Sequence, residues 1–174
     1  MFSKITGNFL RFINLTLVQV IVLNNVHLHG LFNPYIYPLF ILLLPIETPA
    51  WLVLVLGFFS GWVIDLYAHT GGVHASASVL TAFLRPLMLR LLKPAAGYQP
   101  EDRPTVSSMG FLWFFTYCSI LIFIHHLWLF IIETFSFTQF IFVIEKIVIS
   151  SLVSIAIIII LQYLFYRRRV PTIT

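Results

Sequence analysis

Charge is what this sequence most lacks. Only 9% of its 174 residues are Asp, Glu, Lys or Arg, against about 25% in a soluble domain. That deficit excludes a soluble globular protein. A single cysteine, Cys118, excludes a disulfide within the chain. No strand-loop-helix glycine motif is present to cradle a phosphate, and His69-Thr70-Gly71-Gly72 reads as a turn between helices. No Ser/His/Asp set stands in a recognisable catalytic context, which leaves an enzyme without support. The basic residues flank apolar runs instead of forming a patch, so nucleic-acid binding is unsupported as well. There is no internal repeat and no low-complexity tract beyond the apolar runs. The first apolar run lacks a small-residue cleavage site after it and reads as a retained helix, not a signal peptide.

What is abundant is apolar. Hydrophobic residues make up 60% of the chain and aromatics 17%, and the mean hydropathy is +0.99. A spanning helix needs about 20 mostly apolar residues. Six candidate segments follow at 9–26, 35–46, 50–67, 73–92, 108–132 and 138–166, which nearly exhaust a single integral membrane domain, 1–174. Asn14, Thr16 and Gln19 mark an inward side of the first segment. The second is short and interrupted by Pro38 and Pro45, either a kinked span or a re-entrant arm. Pro49 opens the third, and Pro86 bends the fourth. The only long polar stretch is 93–107.

Lys4 and Arg11 lie near the N-terminus. Arg85, Arg90, Lys93 and Arg103 gather around the fourth-to-fifth connection, and Arg167, Arg168 and Arg169 near the end of the chain. The connections at 27–34, 69–72 and 133–137 hold no Lys or Arg. The positive-inside rule then places both termini and the 93–107 loop in the cytoplasm, with an even number of crossings.

Gly57, Gly61 and Asp65 recur every four residues and share one helix face. A carboxylate within an apolar helix costs roughly 2.5–3.5 kcal/mol at the bilayer centre, so Asp65 is expected to have a partner. The stripe is either a surface for another protein or a helix contact inside the bundle, with Ser78 and Ala82 of the small-residue fourth segment as candidate contacts. Glu145 and Lys146 lie within the sixth segment. Adjacent residues do not face one another on a helix, so one of them is a candidate to pair with Asp65 or with another helix. A structural pair or snorkelling residues explain them more simply than an ion path. The six histidines, His27, His29, His69, His74, His125 and His126, fall toward the outer side in this topology. Their spacings match no zinc motif, and with Tyr35, Tyr37, Tyr67 and Trp128 they read as an interfacial belt.

These features together carry a family resemblance. A small six-span chain with a proline-interrupted second segment, then Gly57-x-x-x-Gly61-x-x-x-Asp65-Leu66, a turn at Gly71–Gly72 and a small-residue helix from His74 to Arg85, resembles MreD, the rod shape-determining membrane protein family. The resemblance implies an all-α membrane protein, a six-transmembrane-helix bundle similar to the S-components of energy-coupling-factor transporters. It implies a non-enzymatic, cofactor-free role in the inner membrane beside an MreC-like protein, and through it MreB, RodA and its partner transpeptidase. Asp65 matches the acidic residue that follows the family's glycine stripe. The rival expectation is a true small-molecule-binding S-component, with Asn33, Asp65, His69 and His74 as pocket groups and Gly57/Gly61 or the Ala75–Ala82 helix as docking surface.

Overall fold

The computed structural model describes residues 2–25, 33–99, 102–134 and 140–165. All regular structure among them is helical. Helix α1 (Phe2–Leu17) runs on through a π-helical turn at Val18–Val22 and a 3₁₀ turn at Leu23–Asn25. After an irregular stretch, α2 is a single turn, Leu39–Leu42. Then come α3 (Ala50–Ala68), α4 (Val73–Leu91), the short α5 (Val106–Met109), α6 (Phe111–Thr134) and α7 (Phe140–Phe165). Three helices are long and apolar enough to cross a membrane: Ala50–Ala68, Phe111–Thr134 and Ile141–Phe165. The apolar helix Thr6–Val22 is shorter, and α4 is diluted by His74, Arg85 and Arg90. Their outward faces carry exposed Phe58, Phe59, Trp62, Leu152 and Leu164, as lipid contact requires.

Punctuation follows local chemistry. Pro49 stands just before α3, where a missing N–H costs nothing. His69 closes α3 in the left-handed conformation, φ 56°, and its N–H bonds back to the Asp65 carbonyl. Gly72, φ 104°, then opens α4. Thr105 caps α5 by accepting from the Ser108 N–H at 3.3 Å, and Gly110, φ 85°, separates α5 from α6.

The segment 35–46, expected as either a kinked span or a re-entrant arm, is not a continuous helix. It has no regular structure at 33–36 and is helical for only one turn, because Pro34, Pro38 and Pro45 deny it a continuous ladder. It is nonetheless the centre of the molecule, with Ile36, Tyr37, Leu39, Ile41, Leu42 and Leu44 at most 2% exposed. Its direction is fixed by its partners. Tyr37 bonds His74 and Leu44 bonds Arg85, so it runs parallel to α4. Ile36 bonds Gln19 and Leu43 bonds Arg11, so it runs antiparallel to α1. His74 and Arg85 are eleven residues apart on α4, about 16 Å at 1.5 Å per residue. The segment therefore traverses much of the bundle's thickness without being a spanning helix.

Candidate functional site

The stripe on α3 meets α4 residue by residue. A methyl group at Gly57 would lie 2.8 Å from the Ala82 Cβ and 3.1 Å from the Ser78 carbonyl oxygen. At Gly61 it would collide with the His74 carbonyl oxygen and come 2.5 Å from the Ala75 Cα. The two backbones therefore touch, which only glycine permits. One turn further on, Asp65 receives the first turn of α4. Its Oδ1 accepts from the His74 N–H at 3.0 Å and from the Thr70 hydroxyl, and its Oδ2 accepts from the Ala75 N–H at 2.8 Å. The residue that opens α4, Gly72, has no side chain to cap with. Asp65 supplies that cap from the preceding helix and sets a negative group at the positive end of the α4 dipole. Gly57, Gly61, Asp65, Ser78 and Ala82 thus come together inside the bundle.

Asp65 does not meet the α7 charges. Lys146 pairs with Glu133 of α6 at 3.0 Å and lies over the Phe130 ring, 4.4 Å from its centroid. Glu145 is exposed. Of the two alternatives for these charges, Asp65 or another helix, Lys146 takes the second, and the backbone donors at the start of α4 occupy the Asp65 carboxylate.

The histidines are corrected too. His74, His125 and His126 are core residues at 2%, 0% and 0% exposure, and Tyr35 and Tyr37 are buried with them. Of the expected belt, only His69, Tyr67 and Trp128 are exposed; His27 and His29 lie outside the described residues. The buried rings form a directed chain. Thr81 donates to the Ala77 carbonyl at 2.8 Å, so its oxygen accepts from His125 Nδ1–H at 3.1 Å. His125 Nε2 must then accept the Tyr37 hydroxyl at 2.9 Å, and Tyr37 in turn accepts from His74 Nδ1–H at 3.1 Å. His126 repeats this logic. Its Nδ1–H donates to the Ile122 carbonyl at 2.9 Å, and its Nε2 accepts from Ser154, which also takes the Tyr35 N–H at 2.9 Å. At one end the longer chain stops at the Ala77 backbone carbonyl. Among the described residues no group of three or more His, Cys, Asp or Glu is arranged to hold a metal.

The irregular segment is tied to side chains at each end. Gln19 accepts from the Ile36 N–H at 2.7 Å and donates to the Pro34 carbonyl at 3.1 Å. At the other end the carbonyls of Leu42, Leu43, Leu44 and Pro45 are taken by Tyr117, Arg11 and Arg85. Arg85 is only 1% exposed. It was expected to mark a cytoplasmic loop, whereas it is an interior cation held by the carbonyl end of α2. Gln19, Arg85, Thr81, Tyr117 and Ser154 had no motif to announce them. The one available signal was their polarity within apolar runs. Beyond the spans, Tyr98 donates to the Leu89 carbonyl at 2.6 Å, and burial pushes its phenol upward.

No protein-family model, curated protein or solved structure matches this chain.

Proposed function

We propose that the protein is a non-enzymatic membrane scaffold of the bacterial cell-elongation machinery, acting with an MreC-like partner to organise peptidoglycan synthesis, as the sequence resemblance to MreD implies. The observation that favours a scaffold is the occupancy of the bundle centre. Where an S-component would need a ligand pocket, residues 35–44 stand buried, with Tyr37 bonded to His74 and His125 and the backbone tied off by Gln19, Arg11, Arg85 and Tyr117. Asp65 and His74, polar groups a pocket would have used, are spent inside the bundle, Asp65 on the backbone N–H groups that open α4 and the His74 ring on Tyr37. An occupied bundle centre leaves the outer surface as the place to work.

The proposed setting is the inner membrane with both termini cytoplasmic and six crossings, the segment 35–46 counting as one. Its direction, parallel to α4 and antiparallel to α1, is the one an even count requires. The expected result of affinity purification from detergent is recovery of a single-span, coiled-coil MreC-like protein. Recovery of ATPase subunits with a stoichiometric vitamin would replace this reading with the transporter.

A further inference from the structure

A groove of about 510 Å³ runs between α1, the buried segment and the end of α7. Gly7, Arg11, Asn14 and Val18 line one wall, spaced by four, three and four along a single face of α1. Leu43 and Phe165 contribute apolar surface, and Gln162 lines it from α7. Gln162 is 1% exposed. Its Oε1 is held by the Val106 N–H at 3.3 Å, which fixes the orientation of the amide. Its Nε2 has no partner. A buried amide donor left unbonded costs about 1–3 kcal/mol, so this one is unfinished without a ligand. Arg11, half-buried on the opposite wall, bonds the Leu43 carbonyl at 3.1 Å and the Asn8 side-chain oxygen at 3.2 Å, and places a cation in the groove. Arg11 is the charged residue among those lining the groove, and none of them is acidic.

We propose that this groove seats one acidic phospholipid, with its phosphate between Arg11 and the Gln162 amide and an acyl chain along the apolar wall. The chemistry is that of a lipid-facing cleft with a cation and an unpaired donor at its polar end. The site holds for a scaffold and a transporter alike, so it goes beyond the functional reading.

Gly7 makes a clean test possible. Apart from its chain neighbours and its own helix backbone, nothing lies within 4 Å of where its Cβ would stand, so Gly7→Leu fills the groove without disturbing the core. The detergent-purified protein is titrated with phosphatidylglycerol and with phosphatidylcholine of the same acyl chains, and bound lipid is counted by native mass spectrometry. The expected result is one tightly retained phosphatidylglycerol and weaker retention of phosphatidylcholine. Gly7→Leu should abolish that retention. Gln162→Met should lower it about tenfold, the loss of one charge-assisted hydrogen bond. Lys146→Gln, which removes a cation outside the groove, should leave it unchanged. Equal retention of the two lipids overturns the proposal. So does an undiminished phosphatidylglycerol count in Gly7→Leu, which would mean annular lipid only. Millimolar inorganic phosphate that binds without any preference between the lipids would likewise place a bare anion there instead.

Discussion

Two glycines one turn apart on α3 should respond differently to the same added methyl, and the difference follows from what each faces. In Gly61→Ala the new Cβ lies against the His74 carbonyl and the Ala75 backbone, at 2.5 and 2.6 Å from its Cα and N. Backbone cannot rotate away. Carbon contacts relax near 3.5–4.0 Å, so the helices must part by roughly 1 Å. That separation also pulls Asp65 off the His74 and Ala75 N–H groups, now at 3.0 and 2.8 Å. Overpacking costs about 1–3 kcal/mol and each hydrogen bond to a charged group about 1.5–3. Allowing for partial relaxation and about 1 kcal/mol returned by replacing glycine within a helix, the net loss is about 3–5 kcal/mol.

In Gly57→Ala the closest atom is instead a side chain, the Ala82 Cβ at 2.8 Å. The loss should be about 1–2 kcal/mol. Adding Ala82→Gly should restore most of it, since one glycine is lost and one gained and helix propensity cancels. No side-chain truncation on α4 should rescue Gly61→Ala. Unfolding in mixed micelles of increasing SDS content, followed by circular dichroism, measures all of these. Wild-type stability of Gly61→Ala, or failure of Ala82→Gly to rescue Gly57→Ala, would refute the register and the backbone contact.

Three further outcomes follow from the buried polar groups. Arg85→Met should destabilise by about 1–3 kcal/mol because the buried Leu44 carbonyl loses its donor, while the Pro45 carbonyl keeps Thr48; Arg85→Lys, a shorter point donor, should fall between, and the same SDS titration ranks them. Tyr37→Phe should cost more than Tyr117→Phe, since it strands two histidine nitrogens while the latter strands one carbonyl; equal losses would break the inferred hydrogen-bond chain. Asp65→Ala should cost about 1–3 kcal/mol through the lost cap. Asp65→Asn should cost less, because its one remaining oxygen still serves part of the α4 N-terminus. The check is the protease sensitivity of the 69–72 turn, which should rise in that order.

The legible part of the sequence was whatever announces itself by period or by punctuation. The long runs forming α3, α6 and α7 were read from length and apolarity, and the four-residue spacing of Gly57, Gly61 and Asp65 put them on one face, where the structure has them. The choice between an outward surface and an inward contact was not legible, because a small-residue stripe looks the same on either. Only the position of α4 decides it. The histidines were misassigned for a related reason. His74, His125 and His126 carry an apolar ring and a polar edge, a composition equally suited to an interface and to a core that offers partners, and those partners, Tyr37, Thr81 and Ser154, are separated from them by up to 88 residues. Arg85 failed in the same way. Charge counting treats every arginine as a loop marker, yet one that meets the carbonyl end of an irregular segment is stable inside.

That irregular segment explains why so much polarity is buried in a chain with so little charge. Between helices in lipid there is no hydrophobic force to impose one arrangement, and packing and hydrogen bonds must do it. An irregular backbone inside the bundle sharpens the requirement, since each unbonded carbonyl or N–H there has no water to fall back on. Residues 33–45 are satisfied only when α1 brings Gln19 and Arg11, α4 brings Arg85, α6 brings Tyr117 and α7 brings Ser154 to fixed heights. Sliding or rocking any of these helices would strand several groups together, each at a cost of about 1–3 kcal/mol. The polar contacts of residues 33–45 therefore tie four helices, α1, α4, α6 and α7, to one segment.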